Sequence, residues 1–268
     1  MKGFLKLFCI SLMISFFCCG CGQKKTEHTI SQKFDSDLEY IMDKENIIIG
    51  VTDFKPLDYL ENAKWIGFDA DFATLFAENL GVSVTFLEID WDKKVELLND
   101  GTIDCIWNGM TLSKEVKNAM SYSISYLNNA QMVVVPKKNA EGLQTIEDCM
   151  HFLFAVESGS TGALELKERN YRYIQADSQM EALSNVNSEK ADAAVIDAIM
   201  AGALIGSGKQ FEELLCIDSV GVEEYVVGFR KDSDVTEKFN TFWKEQYENG
   251  TVKEIAEKYE VQEMLIKP

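Results

Sequence analysis

Strand-like and helix-like segments alternate along the first half of the chain, and this alternation most strongly limits the possible folds. Residues 47–51, 82–89 and 103–108 are predicted strands. Residues 69–80 place apolar side chains on one helical face and are followed by Gly81, while residues 92–100 form a second predicted helix closed by Gly101. This order predicts an α/β fold with a parallel sheet and crossover helices.

A second unit of the same kind begins near Gln131. Its predicted strands are residues 132–135, 152–156, 191–196 and 225–229, and its predicted helices are residues 179–190 and 198–205. Two amphipathic helices then close the chain, the first carrying Phe239 and Trp243 and the second carrying Ile255 and Tyr259. A chain of 268 residues is long enough for one large domain or two smaller ones.

The N-terminal residues have the layout of a secretory signal. Lys2 and Lys6 supply a basic start, residues 4–17 are mostly apolar, and small residues lead to Cys21. The ending resembles that of a bacterial lipoprotein signal, which is cleaved before a cysteine that then carries lipid. The resemblance implies a signal at residues 1–20, lipid on Cys21 and a polar tether at residues 21–45. An ordinary secretion signal and an uncleaved membrane anchor are the alternatives.

Charge and residue usage exclude several kinds of function. The formal net charge is −18, which argues against binding to nucleic acid or broad docking on anionic lipid. After the signal, the cysteines are Cys105, Cys149 and Cys216, in no metal-like spacing. Free thiols are expected there, with a Cys149–Cys216 disulfide as the alternative. Two histidines, His28 and His151, supply zinc or acyl-transfer chemistry poorly, so no metal or cofactor is predicted.

Six short motifs, in order and spacing, resemble those of the bacterial extracellular solute-binding proteins of family 3, which feed polar amino acids to ABC importers. The motifs are GFDAD at residues 67–71, DWD at 90–92, GTID at 101–104, GMTLS at 109–113, ESGST at 157–161 and ADAAVID at 191–197. Each motif alone is weak, but the six occur in register, and the resemblance extends over about residues 46–262. The resemblance implies a membrane-anchored extracytoplasmic receptor whose partners are a small solute and the permease and ATPase subunits of an importer.

The resemblance also implies a two-lobed fold of the periplasmic-binding-protein type II class. Each lobe would hold a mostly parallel sheet flanked by helices, and two hinge strands would cross between the lobes. Lobe 1 would comprise residues 46–128 and 223–268, and lobe 2 residues 129–222. Two other functions remain open: a dehydratase acting on small cyclic acids, which shares this fold, and a solute sensor without transport.

Candidate ligand-binding residues follow from the family positions and from their places after predicted strands. Trp91 and Phe54 match positions where aromatic rings enclose the ligand, a task that suits large apolar faces able to meet a cation. Asp197 ends a strand and is expected to accept hydrogen bonds from a ligand ammonium, although a helix N-cap is its structural alternative. The remaining candidates are Asp53, Gly109, Met110, Thr111, Ser160 and Thr161.

One position departs from the family pattern. The family places an arginine that binds the ligand carboxylate shortly after the GMTLS-type segment, and Val116 stands there in this chain. Valine donates no hydrogen bond, so weak binding of standard α-amino acids is predicted. Three explanations stay open: Lys114 or Lys117 reaches the site, main-chain donors suffice, or the ligand lacks an α-carboxylate.

The signal predicts a test at Cys21. The Cys21→Ala variant should lose lipid, because the thiol that would carry it is gone, and should leave the membrane fraction. Mass spectrometry of the mature chain and fractionation of cells check both points. A Cys21→Ala protein that still carries lipid and stays with membranes would show that the attachment site is wrong.

Overall fold

The computed structural model describes residues 34–268, so the predicted signal, Cys21 and His28 lie outside the described residues. The strands of the first lobe are β1 (Asn46–Val51), β2 (Tyr59–Glu61), β3 (Lys64–Ile66), β4 (Ser83–Glu88), β5 (Cys105–Thr111) and β6 (Ser121–Tyr122). Its helices before the crossover are α1 (Asp37–Asp43), α2 (Phe68–Leu80), α3 (Lys94–Asn99) and α4 (Lys114–Ala119). None of the described helices has the length and apolar character needed to cross a membrane.

Two long strands carry the chain between the lobes. They are β7 (Leu127–Pro136) and β11 (Leu214–Phe229). Between them, the second lobe contains β8 (Leu153–Glu157), α5 (Thr161–Glu168), β9 (Arg172–Ala176), α6 (Gln179–Asn187), β10 (Ala193–Asp197) and α7 (Ala198–Leu204). The chain then returns to the first lobe as α8 (Val235–Glu248) and α9 (Thr251–Lys258).

The sheet order follows from these crossings and confirms the predicted fold class. The strands lie in the order β4-β1-β5-β11-β7-β10-β8-β9, with β6 also paired to β11. Pairing is parallel within each lobe, as in β1 with β4 and β5, or β8 with β9 and β10. It is antiparallel where β11 meets β5 and β7. The predicted lobe boundaries, after residues 128 and 222, fall inside β7 and β11.

Helix α2 shows how the sequence builds a lobe. Gly67 precedes it with a φ of 134°, and Gly81 ends it at a φ of 74°, a conformation that glycine adopts without steric cost. Phe68, Phe72 and Phe76 repeat every four residues and are fully buried. Their rings pack against the C-terminal helices, as in the 4.9 Å separation of the Phe72 and Trp243 ring centroids. The returning helices therefore complete the core of the first lobe.

Several elements differ from those predicted. Helix α1 lies within the predicted tether of residues 21–45, yet its Ile41 is fully buried in the core. The hairpin of β2 and β3, strand β9 and helix α4 had no counterpart among the predicted elements. Strand β11 spans 16 residues, whereas only residues 225–229 were predicted. Cys105, Cys149 and Cys216 are free thiols, so the alternative Cys149–Cys216 disulfide is absent.

A buried ionic cluster ties α1 to the amino ends of the lobe 1 strands. Asp104, which directly precedes β5, accepts from Lys44, from the Ile48 N–H at 2.7 Å and from Arg230 at 3.1 Å. Arg230 also donates to Asp37 of α1 at 2.9 Å. The Asp104 side chain is fully buried, so its charge depends on these cations. The entry of the chain into the folded unit is thereby fixed at one end of the sheet.

Removing the central acid of this cluster should destabilise the fold. Asp104→Ala removes the fully buried carboxylate that pairs with both Lys44 and Arg230, leaving Arg230 only Asp37, and breaking such a pair costs about 3–5 kcal/mol. The free energy of unfolding from urea titration measures the loss. Glu189→Gln is the matched control, because its ion pair with Lys138 is exposed and should leave the urea midpoint unchanged. Equal midpoints for Asp104→Ala and the control would contradict the assignment.

Candidate functional site

A cavity of about 280 Å³ lies between the lobes, where the parallel strands of both end. Ligands in open α/β sheets collect at this edge, because loops of variable sequence meet there. The predicted residues that line it are Phe54, Trp91, Gly109, Met110, Thr111, Ser160, Thr161 and Asp197. Asp53 is the predicted residue that the structure does not bring into this group. Burial and the neighbouring Glu88 raise the pKa of its carboxyl.

Two aromatic side chains form the wall from lobe 1. Trp91 lies in a short 3-10 turn, Trp91–Lys93, between β4 and α3. Phe54 follows β1 and packs edge-to-face on Tyr225, with ring centroids 6.3 Å apart. A Cβ on Gly109, whose φ is 56°, would lie 2.6 Å from the Phe54 ring. Glycine at position 109 is therefore what allows the Phe54 ring to close this side of the cavity.

Asp197 ends β10 and is buried, with 5% of its surface exposed. Three side-chain amides satisfy its carboxylate: Asn129 at 2.7 Å and Gln131 to Oδ1, and Gln179 to Oδ2. Burial, and then the charge of Glu223, raise the pKa of Asp197 to about 7, while the amide donors act in the opposite direction. Asp197 precedes α7, but its side chain makes no capping hydrogen bond there. The carboxylate is therefore bound by three side-chain amides and not by the first N–H groups of α7.

The Asp197 carboxyl is joined to a second acid on a crossing strand. The Gln131 amide donates to Glu223 as well as to Asp197, and Asn129 donates to Glu223 at 3.0 Å. Thr111 of β5 donates its hydroxyl to the other Glu223 oxygen. Residues from β5, β7, β10 and β11 thus form one hydrogen-bonded network across the interlobe boundary.

Glu157 is a further acid in the cavity wall, at the end of β8 and only 4% exposed. Burial, then the charge of Asp197, raise its pKa to about 8, against the lowering effect of Lys94. At neutral pH this carboxyl is therefore mostly protonated, unless a cation enters the cavity. The wall consequently holds two buried carboxyls whose ionisation favours a positively charged guest.

The lobes touch beside the cavity, where the ESGST motif meets the DWD motif. Gly159 has a φ of 71°, and a Cβ there would lie 2.6 Å from the Asp92 Cα. The next residue, Ser160, caps α5 by accepting from the Ala163 N–H at 3.1 Å. Lys94 crosses the same contact, donating to the Trp91 carbonyl at 3.2 Å and the Gly159 carbonyl at 3.1 Å. The contact therefore depends on main-chain groups and on one lysine.

Val116 also lines the cavity, from the first turns of α4, and is 1% exposed. It packs in an apolar cluster that includes Ile106, Met110 and Met120. Lys114 and Lys117 are exposed and do not line the cavity. Of the explanations left open for the missing arginine, a reach by Lys114 or Lys117 is not what the structure shows.

Sequence reasoning missed Lys94 and the amides Asn129, Gln131 and Gln179. A signal for Lys94 was present, because it lies three residues after Trp91 on the side of α3 that carries buried Leu98. Asn129 and Gln131 alternate along β7 and share one face, but the predicted strand began at residue 132, after both. Glu157 was visible as an acid within the ESGST motif.

Comparison with known proteins gives one consistent result. The sequence model of the bacterial extracellular solute-binding proteins, family 3, matches residues 47–262. The arginine-binding extracellular protein ArtP of Bacillus subtilis (strain 168) is 28% identical over 222 residues, which cover 81% of this chain and 86% of ArtP.

Solved structures give the same result for the fold. The P235GK mutant of ArgBP from T. maritima superposes with a TM-score of 0.78 at 28% identity, covering 83% of this chain and 98% of that one. An ABC uptake transporter substrate-binding protein from Streptococcus pneumoniae, with bound histidine, gives 0.77 at 26% identity, covering 84% and 96%.

The raised pKa values predict how stability depends on pH. A carboxyl with a higher pKa in the folded than in the unfolded state binds its proton more tightly when folded, so stability falls as pH rises between the two values. The window runs from 3.8 to about 7 for Asp197 and from 4.5 to about 8 for Glu157. We expect the urea midpoint of the ligand-free protein to fall across this range.

Two variants distinguish the contribution of a cavity acid to this pH dependence from that of an exposed acid. Asp197→Asn should flatten part of this pH dependence, because it removes one of the contributing carboxyls, the others including Glu157 and Asp69. Asp192→Asn, an exposed acid just before the other end of β10, should keep the wild-type profile. An Asp197→Asn profile parallel to wild type would show that Asp197 is not protonated in the folded, empty protein.

Proposed function

The chain belongs to the bacterial extracellular solute-binding proteins, family 3, and we propose that it captures an amino acid or a related amine-bearing solute and delivers it to an ABC importer. The observation that carries this proposal is the pair of buried carboxyls, Asp197 and Glu157, in the wall of one interlobe cavity. A cationic nitrogen placed between them offsets the cost of burying their charge.

Asp197 retains capacity for such a nitrogen. An ionised carboxylate offers about four lone-pair sites, and the three amide donors occupy three of them. The amides also fix the orientation of the carboxylate before a solute arrives, which lowers the entropy cost of binding. Asp197 is therefore a preorganised acceptor for a ligand ammonium.

The aromatic wall would contact the remainder of the solute. Trp91 and Phe54 offer apolar faces for the aliphatic part of a solute, and such faces also attract a cation. The relatives named above are an arginine-binding protein and a protein with bound histidine, both nitrogen-rich amino acids. Arginine and histidine are accordingly the first solutes to test.

The setting of this receptor is the second part of the proposal. The motif that ends at Cys21 supports a lipid that holds the protein at the outer face of the cell membrane. There it would load the permease and ATPase subunits of an importer. A sensor without transport and a dehydratase acting on small cyclic acids are the alternatives, the latter favoured by the raised pKa of Glu157 in the cavity.

A variant pair tests the site. Trp91→Ala and Asp197→Asn should each weaken binding by about 1–3 kcal/mol, since each removes a contact with the solute. A thermal-shift screen over the twenty amino acids and simple amines identifies the solute, because a ligand at a hundred times its Kd adds about 2.7 kcal/mol to stability. Titration calorimetry then measures each variant, with Asp192→Asn as the control.

The outcomes distinguish the functions. Unchanged affinity in both site variants would remove this cavity as the binding site. Product formed from a small cyclic acid would favour the dehydratase, whereas binding without uptake by intact cells would favour the sensor. We expect binding and uptake without turnover.

A further inference from the structure

Lys94 is a buried cation in the cavity wall, with 5% of its surface exposed. Its Nζ donates to the Trp91 and Gly159 carbonyls, at 3.2 and 3.1 Å, and lies 4.9 Å from the centroid of the Trp91 ring. An ammonium carries three protons, and these two bonds use two of them. One donor therefore remains for a group inside the cavity.

The Lys94 ammonium lies near several acids, but it is not paired directly with any of them in the described part of the chain. Within residues 34–268, its Nζ forms no ion pair with a carboxylate, unlike Lys44, which pairs with Asp104 in the cluster at the other end of the lobe. Among the acids that favour the charged form of Lys94, Glu157 is the buried one, and its raised pKa of about 8 leaves it mostly protonated at neutral pH. Burial accordingly lowers the pKa of Lys94, although Glu115, Glu157 and Asp92 act in the opposite direction. A buried, unpaired ammonium is costly, and an anion in the cavity offsets that cost.

The position of Lys94 also places it beside main-chain donors. Its partner Gly159 lies two residues before Thr161, which begins α5 and lines the cavity. The first N–H groups of a helix have no partner within the helix and favour negative charge. The Ser160 side chain accepts a hydrogen bond only from the Ala163 N–H. The N–H groups of Thr161 and Gly162 are therefore not capped by this side chain. Lys94 and the start of α5 therefore converge on one place suited to a carboxylate.

We infer that Lys94, together with the start of α5, receives the α-carboxylate of the bound amino acid, whose α-ammonium is held by Asp197. This inference rests on the proposed function. Lys94 of α3 then binds the carboxylate that the family binds with an arginine at the position of Val116 in α4, because valine cannot donate a hydrogen bond. A carboxylate bound there also bridges the lobes, because Lys94 belongs to lobe 1 and Thr161 to lobe 2. Because Lys94 supplies the missing donor, we now expect standard α-amino acids to bind with ordinary affinity and not weakly.

The alternative is a mechanical role, in which Lys94 only holds the two lobes together and does not contact the solute. Its bond to the Gly159 carbonyl joins the lobes whether or not a solute is present. A purely mechanical lysine would affect all solutes equally, with or without a carboxylate. A carboxylate-binding lysine would affect only those that carry one. The test therefore compares each amino acid with its own α-carboxamide.

The probes are L-arginine, L-histidine and the other standard amino acids, each paired with its α-carboxamide, measured by titration calorimetry. Wild type should bind at least one amino acid more tightly than its carboxamide. Lys94→Met should weaken that amino acid by about 10–150-fold, the range for losing a charge-assisted hydrogen bond, and leave the carboxamide within about twofold. Lys93→Met is the matched control, because Lys93 is the adjacent lysine and its ammonium is exposed and paired with Asp90. It should behave as wild type with both probes.

Each result decides the inference. Equal losses for amino acid and carboxamide in Lys94→Met would overturn it in favour of the mechanical role, while the proposed function stands. Equal affinity of wild type for both probes would overturn it without any variant, which covers the case that Lys94→Met does not fold. Binding of amines but of no amino acid would also overturn it. No binding of any probe by wild type, together with no response to the simple amines of the thermal-shift screen, would defeat the proposed function itself.

Discussion

The interlobe boundary is organised by two carboxyls that share their hydrogen-bond donors, one buried and one half-buried. Asp197 and Glu223 come from different strands, and the Gln131 amide donates to both. The charge of Glu223 raises the cost of ionising the buried Asp197, so Asp197 requires donors and, when ionised, a cation. This requirement explains why the crossing strand β7 carries Asn129 and Gln131 within an otherwise apolar core.

Much of the architecture was accessible from the sequence, because it depends on local periodicity. The phenylalanine repeat in α2 and its flanking glycines define one helix almost to the residue. The candidate residues in the motifs follow strands, and the carboxyl ends of parallel strands meet at one edge, so Trp91, Gly109 and Asp197 could be expected to converge. The register of six motifs then turned a general α/β pattern into a specific two-lobed fold.

The parts that could not be predicted depend on contacts distant in sequence. Strand β11 is long because β5 and β7 pair along its length, which no local window contains. Helix α1 is short and polar at its start, and becomes part of the core only through Ile41 and the bond between Asp37 and Arg230, residues 193 apart. Lys94 is similar: a lysine in a helix is usually exposed, and only the approach of Gly159 from the other lobe buries it.

The ionic cluster around Asp104 has a consequence for how the protein presents itself. It fixes residues 37 to 44 at the amino ends of the lobe 1 strands, while the cavity lies beyond their carboxyl ends. A six-residue strand such as β1 separates these ends by roughly 20 Å. A segment before residue 34 that held the molecule at a surface would therefore be attached at the end of lobe 1 that lies opposite the cleft.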